Sequence, residues 1–181
     1  MRRLTCDPKA EISGASLSSI LENSQGGDMR ALAAKFGLED IRADAWYPLQ
    51  KALEFWDELS NHPNLMSNLV ATGLAIVDNA LVPEGLAGAS FEDWVKGWDA
   101  HYQANFRNAD VGHKSAVKVS PGHYMIVLDG TVIPDDLEYG VLYGFARRLL
   151  PSSSEFTVWY DENETPMDEG GDRTILHVEW A

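Results

Sequence analysis

The sequence predicts an α+β fold, with N-terminal helices packed on a C-terminal antiparallel sheet of about four strands in a ββαββ arrangement. Three observations lead there. Apolar residues recur at intervals of three and four up to Phe106, and the period then changes to two. A self-contained helix at 134–149 separates two pairs of alternating segments. The 181 residues, 45% of them apolar, suit one domain with a sizeable core.

The helix at 134–149 carries its own start and stop signals. Pro134, Asp135 and Asp136 suit a helix N-terminus, where free N–H groups and the positive dipole end favour carboxylates. Arg147 and Arg148 suit its last turn, and Pro151 cannot continue it. Gly140 and Gly144 leave one face nearly bare, which predicts close backbone packing, most simply against the sheet.

Taken in order, residues 1–27 are polar and glycine-containing and read as an N-terminal extension, with a short helix around Leu17, Ile20 and Leu21. A single domain then spans 28–181, helical over 28–108 and sheet-forming over 113–181. Asp28 suits the N-cap of a helix at 29–36, closed by Gly37. Residues 46–59 form an amphipathic pattern, with Trp46, Leu49, Leu53, Trp56 and Leu59 on one face and Pro48 allowed only in the first turn. Residues 64–82 predict a further helix. Ser90 and Asp93 resemble a capping box ahead of the most aromatic helix, 91–106, with Phe91, Trp94, Trp98, His101, Tyr102 and Phe106.

The strands are 116–119 and 124–128, joined through Pro121-Gly122 as a type II turn, then 156–160 and 176–180. Between the last two, 161–173 holds six carboxylates and one arginine. Asp161, Asn163 and Thr165 begin a calcium-loop spacing that Pro166 breaks, so this connection reads as a solvated loop.

The net charge of −14 disfavours nucleic acid and anionic membranes as partners, because phosphates call for a basic surface. The single cysteine, Cys6, excludes an internal disulfide and a multi-cysteine metal site. No apolar run reaches the ~18 residues of a membrane span. No secretory h-region follows Met1-Arg2-Arg3 either, so a cytoplasmic protein is expected.

The C-terminal half, over roughly 90–181, resembles the 4-vinyl-reductase-like domains, on the succession of hairpin, Pro134-Asp135-Asp136-Leu137-Glu138-Tyr139-Gly140 helix, strand at 156–160, glycine-containing connection and terminal strand. These domains group with the haem-NO-binding-like domains and the TRAPP-type trafficking subunits. The resemblance implies a small-ligand sensor or an assembly module. Two features depart from it. Met167 and Thr174 stand near the places where vinyl-reductase-like domains carry cysteines. The Tyr-x-Ser-x-Arg motif that grips haem propionates has its nearest counterpart in Tyr143-Gly144-Phe145-Ala146-Arg147, with Phe in place of Ser and inside a helix. Haem is therefore a conceivable cofactor without a motif behind it.

No histidine pair has a metal-binding spacing, and no nucleophile motif, P-loop or dinucleotide fingerprint occurs. The expected function is a non-enzymatic small-molecule-binding or sensor domain for a hydrophobic or tetrapyrrole ligand, held between the 91–106 helix, the 46–59 helix and the sheet. Trp56, Trp98, His101 and Tyr102 would line its pocket, with Tyr143 and Arg147 beside them and His101 as the one conceivable haem ligand. A structural module acting through a homodimer or a signalling partner is the alternative, and a tetrapyrrole-modifying enzyme a weaker one. The bland reading is that the aromatics are solid core, that His101 bonds to backbone, and that Arg147 and Arg148 only compensate a helix end.

Overall fold

The computed structural model describes residues 5–24, 28–60, 62, 68–80 and 88–181. In chain order these form β1 (Glu11–Ser13), α1 (Gly14–Asn23), α2 (Asp28–Ala34), β2 (Trp46–Pro48), α3 (Leu49–Ser60) and α4 (Leu69–Asn79). There follow α5 (Phe91–Gln103), β3 (Phe106–Arg107), β4 (His113–Ser120), β5 (His123–Asp129), α6 (Asp135–Leu149), β6 (Phe156–Tyr160), a short 3-10 turn (Met167–Glu169) and β7 (Arg173–Trp180).

The expected ββαββ unit is present. Its strands lie in the order β4-β5-β7-β6, every neighbouring pair antiparallel, and α6 is the connection between the two hairpins. Alternation decides which face is buried. Tyr124, Ile126 and Leu128 on β5 stand opposite Val178, Leu176 and Thr174 on β7, and all six are buried under α5 and α6. Gly122 sits at φ +77°, as the third position of a type II turn demands.

A second sheet was not legible in the sequence: β1 runs between β2 and β3, antiparallel to both. It corrects two expectations. Residues 10–21 are no extension, since Ile12 and Leu17 are wholly buried in the N-terminal core. The amphipathic helix starts at Leu49 rather than Trp46, because Trp46, Tyr47 and Pro48 pair with Ser13, Ile12 and Glu11. At three residues each, β1 and β2 are too short to show an alternation. Gly26, Gly27 and the ends of the helix expected over 64–82 lie outside the described residues.

The bare face of α6 meets α4, not the sheet. A Cβ on Gly140 would collide with the Val70 carbonyl, and one on Gly73 of α4 with the Leu137 carbonyl of α6. At Gly144 an added Cβ would come within 2.9 Å of Val77. Glycines on both helices therefore let the backbones touch, and the opposite side of α6, with Leu142 and Ala146, covers the sheet.

The acidic connection is fastened at both ends rather than left loose. Asp135 and Asp168 exchange backbone hydrogen bonds, each N–H donating to the other's carboxylate at 2.7 and 2.8 Å. Met167 is buried, and its N–H donates to Thr174 Oγ1.

Candidate functional site

The aromatic helix α5 opens on the capping box expected from Ser90 and Asp93, with the Asp93 N–H donating to Ser90 Oγ at 3.2 Å and the Ser90 N–H to Asp93 Oδ2 at 3.2 Å. Three residues of its inner face, Trp94, Trp98 and Tyr102, recur every fourth position and so form one row. They do not fill the space before them. A cavity of about 390 Å³ lies between α5, α1, α4 and α6, with Trp94, Trp98, His101 and Tyr102 on one side. Ser16, Ser19 and Ile20 of α1, Ile76 of α4, and Leu137, Val141 and Phe145 of α6 close the others. Its volume falls within the ~300–1,000 Å³ of small-molecule pockets.

The wall is braced by stacking. Trp94 lies on Phe145 with ring centroids 4.0 Å apart, and on Trp98 at 4.7 Å. The Tyr102 hydroxyl donates to the Val111 carbonyl at 2.7 Å and accepts from the Val132 N–H at 3.0 Å. That fixes the tyrosine between the helix and the two strand ends.

The polar feature of the cavity is an ion pair absent from the sequence reading. Lys114 Nζ of β4 donates to Glu138 Oε1 of α6 at 2.5 Å, and both side chains are only 4% exposed. The ammonium lies 4.4 Å from the ring centroids of both Trp98 and Tyr102. Asp99, on α5, anchors the strand end: it accepts from the Lys114 N–H at 2.7 Å and pairs with His113 at 3.2 Å. Partial burial works against the Asp99 charge, yet those hydrogen bonds win and hold its carboxyl below the usual range.

Of the six residues picked out from the sequence, three line this cavity: Trp98, His101 and Tyr102. Trp56 belongs to the N-terminal core, 4.7 Å from the Phe55 ring, with its indole N–H buried and unbonded. Tyr143 packs on Phe156 at 4.9 Å, on the sheet side of α6. Arg147 pairs with Asp78 at 2.6 Å, while Arg148 lines the cavity and donates to the Val77 and Ala80 carbonyls at the end of α4. The helix expected over 46–59 does not border the space; α1 and α4 do. Lys114 was obscured because Val117 and Val119 suggest the opposite inward parity for its strand.

A second polar cluster lies on the outer sheet face. His177 Nε2 bonds Asp161 at 2.9 Å, His123 Nε2 lies 3.0 Å from His177 Nδ1, and Trp159 stacks on His177. His123 is half-buried, and Asp161 secures the start of the acidic connection. Among the described residues no group of three or more His, Cys, Asp or Glu side chains is arranged to hold a metal. Nor is any described helix long and apolar enough to cross a membrane.

The fold is that of the H-NOX domains. An H-NOX protein from S. oneidensis in its Fe(II)NO ligation state superposes with a TM-score of 0.64 at 17% identity, over 94% of this chain and 99% of that one. A protein solved to show haem redox potential modulated through porphyrin distortion gives 0.65 at 14%, over 93% and 99%. An oxygen-binding H-NOX domain related to soluble guanylate cyclases gives 0.63 at 14%, over 92% of each chain. The likeness runs through the N-terminal helices as well as the C-terminal half. No protein-family model and no curated protein matches the sequence.

Haem needs an axial ligand in the pocket wall and partners for two propionates. The described wall offers one candidate for the first, His101, and one exposed cation, Arg148, for the second. His101 is the imidazole on this wall, and it is solvent-exposed. The Tyr102 oxygen is engaged on both sides, and the Lys114 ammonium is paired with Glu138.

Proposed function

We propose that this chain is a non-enzymatic small-molecule-binding domain of sensor type, whose ligand enters the cavity between α1, α4, α5 and α6. The observation that carries the reading is the hollow itself. A row of large aromatics on α5, which could have closed a solid core, instead borders about 390 Å³ of space. Apolar walls with few, fixed polar groups are the usual make-up of a ligand site. Binding there would bear at once on four helices, the kind of multi-element contact through which a ligand shifts a conformational equilibrium. The acidic charge of −14 and the lone cysteine support a cytoplasmic setting.

The test is a titration of the purified chain with the neutral apolar fluorophore N-phenyl-1-naphthylamine, alongside mass spectrometry of small molecules that co-purify. Saturable one-to-one enhancement is expected, lost in Ser19→Trp, which places an indole in the cavity. A probe that does not bind, with nothing co-purifying, would remove this reading.

A partner-binding role, by dimerisation or with a signalling protein, is the second reading. Strand β4 is a sheet edge and carries Val117 and Val119, 46% and 53% exposed. An uncovered apolar edge invites pairing with another chain. Native mass measurement of the wild type against Val117→Lys/Val119→Lys decides it: an oligomer that becomes monomeric supports this role, and a monomer in both excludes self-association.

A further inference from the structure

We propose that the cavity takes a neutral, predominantly apolar molecule with one hydroxyl or carbonyl group, and excludes haem and other carboxylate-bearing ligands. The inference rests on the small-molecule reading above and narrows it to a ligand class.

The argument starts from the charges around the space. Lys114 would ordinarily recruit an anion, but its ammonium already holds Glu138 at 2.5 Å and lies against two aromatic faces. Glu138 stands in the first turn of α6, at the positive end of the helix dipole. The pair is thus closed and neutral as a unit. An incoming carboxylate would have to displace Glu138 from Lys114, leaving that carboxylate buried without its partner. Breaking a buried pair is far more costly than leaving it intact. Arg148, the other cation on the wall, is exposed, so its charge is held in water, and its Nη1 donates to the Val77 and Ala80 carbonyls at the end of α4.

Neutral polar groups are also present. Ser16 and Ser19 of α1 border the cavity, and each hydroxyl can donate or accept. They are matched to an alcohol, ketone or ester oxygen. Asn105, also on the wall, is engaged with the His101 carbonyl and the Ser13 hydroxyl, His101 is exposed, and the rest of the lining is aliphatic and aromatic. A porphyrin is disfavoured by its two propionates, whatever His101 could offer the iron.

The test uses the full chain and N-phenyl-1-naphthylamine as reporter, with 1-decanol and decanoate as competitors that share a ten-carbon chain and differ in charge. Decanol is expected to displace the probe at a concentration at least tenfold lower than decanoate, and haemin titration to give no one-to-one Soret shift. Glu138→Gln should reverse the order by leaving Lys114 without its counter-charge. If that variant does not fold, Lys114→Met/Glu138→Leu replaces the pair by apolar groups and should still prefer decanol. A stoichiometric haemin complex, or decanoate competing as well as decanol in the wild type, overturns the inference and leaves the ligand-binding reading standing. Failure of the reporter itself to bind would remove both.

Discussion

Trp56 and Trp98, both predicted to line one pocket, end up in opposite circumstances. Around α3, Phe36 packs on Phe55 and Phe55 on Trp56 within the N-terminal core. Along α5, Trp94 and Trp98 stack on one another and on Phe145, yet with Tyr102 they border a cavity. Both helices are amphipathic. What differs is their neighbours. Against α3 lies β1, whose one aliphatic residue, Ile12, is wholly buried in the same core. Opposite α5, the glycine contact between α4 and α6 draws those helices to each other. Helix spacing therefore reports that a face is buried, and says nothing on whether the facing surface closes upon it.

The contrast can be broken by truncation. Trp56→Ala should destabilise the fold by about 3–5 kcal/mol, the range for a large aromatic lost from a packed core, with probe binding in the folded fraction unchanged. Trp98→Ala should cost less, because that indole borders the cavity where Trp56 does not, and should weaken the probe at least tenfold. Denaturant melts and the fluorescence titration read the two effects. Equal destabilisation by both would mean that the cavity side is as tightly packed as the other core.

The buried pair sharpens the same comparison. Lys114→Met alone leaves Glu138 buried without its partner and should cost ~3–5 kcal/mol, whereas Lys114→Met/Glu138→Leu should return close to wild type. A single variant no less stable than the double would show that water reaches Glu138.

The smallest effect is expected outside both cores. The His177 hydrogen bond and the Asn163 N–H hold the Asp161 carboxyl below the ordinary aspartate value near 3.8. Its contribution is then complete above that value and is lost as pH falls through its lowered folded pKa. Asp161→Asn should narrow the gap to wild type in thermal melts as pH drops below about 4, while at pH 6 the wild type remains the more stable. A gap constant with pH would detach Asp161 from acid stability.

Much of the C-terminal half was readable because its signals are local. The α6 caps, the capping box of α5, the Pro121-Gly122 turn and the alternation in β5, β6 and β7 each sit within a few residues of what they specify. The three-stranded N-terminal sheet was not, since β1 to β3 are two or three residues long and exist only through pairing across the chain. Strand β4 was legible as a strand but not in its facing. Val117 and Val119 turn outward, while Lys114 and Lys118 turn inward to Glu138 and Glu92, carboxylates supplied by two separate helices.

The sequence by itself determined the α+β class, the ββαββ order, the aromatic row on α5 and the place of α6 between the hairpins. Periodicity, caps and turns are properties of short segments, so they survive without a partner. Only the tertiary structure decided that the α6 glycines meet α4, that Trp98, His101 and Tyr102 share a cavity from which Trp56, Tyr143 and Arg147 are absent, and that Lys114 joins them. A hollow and a buried ion pair are relations between surfaces far apart in the chain. Such relations are set by how helices cross and strands register, and no single segment contains them.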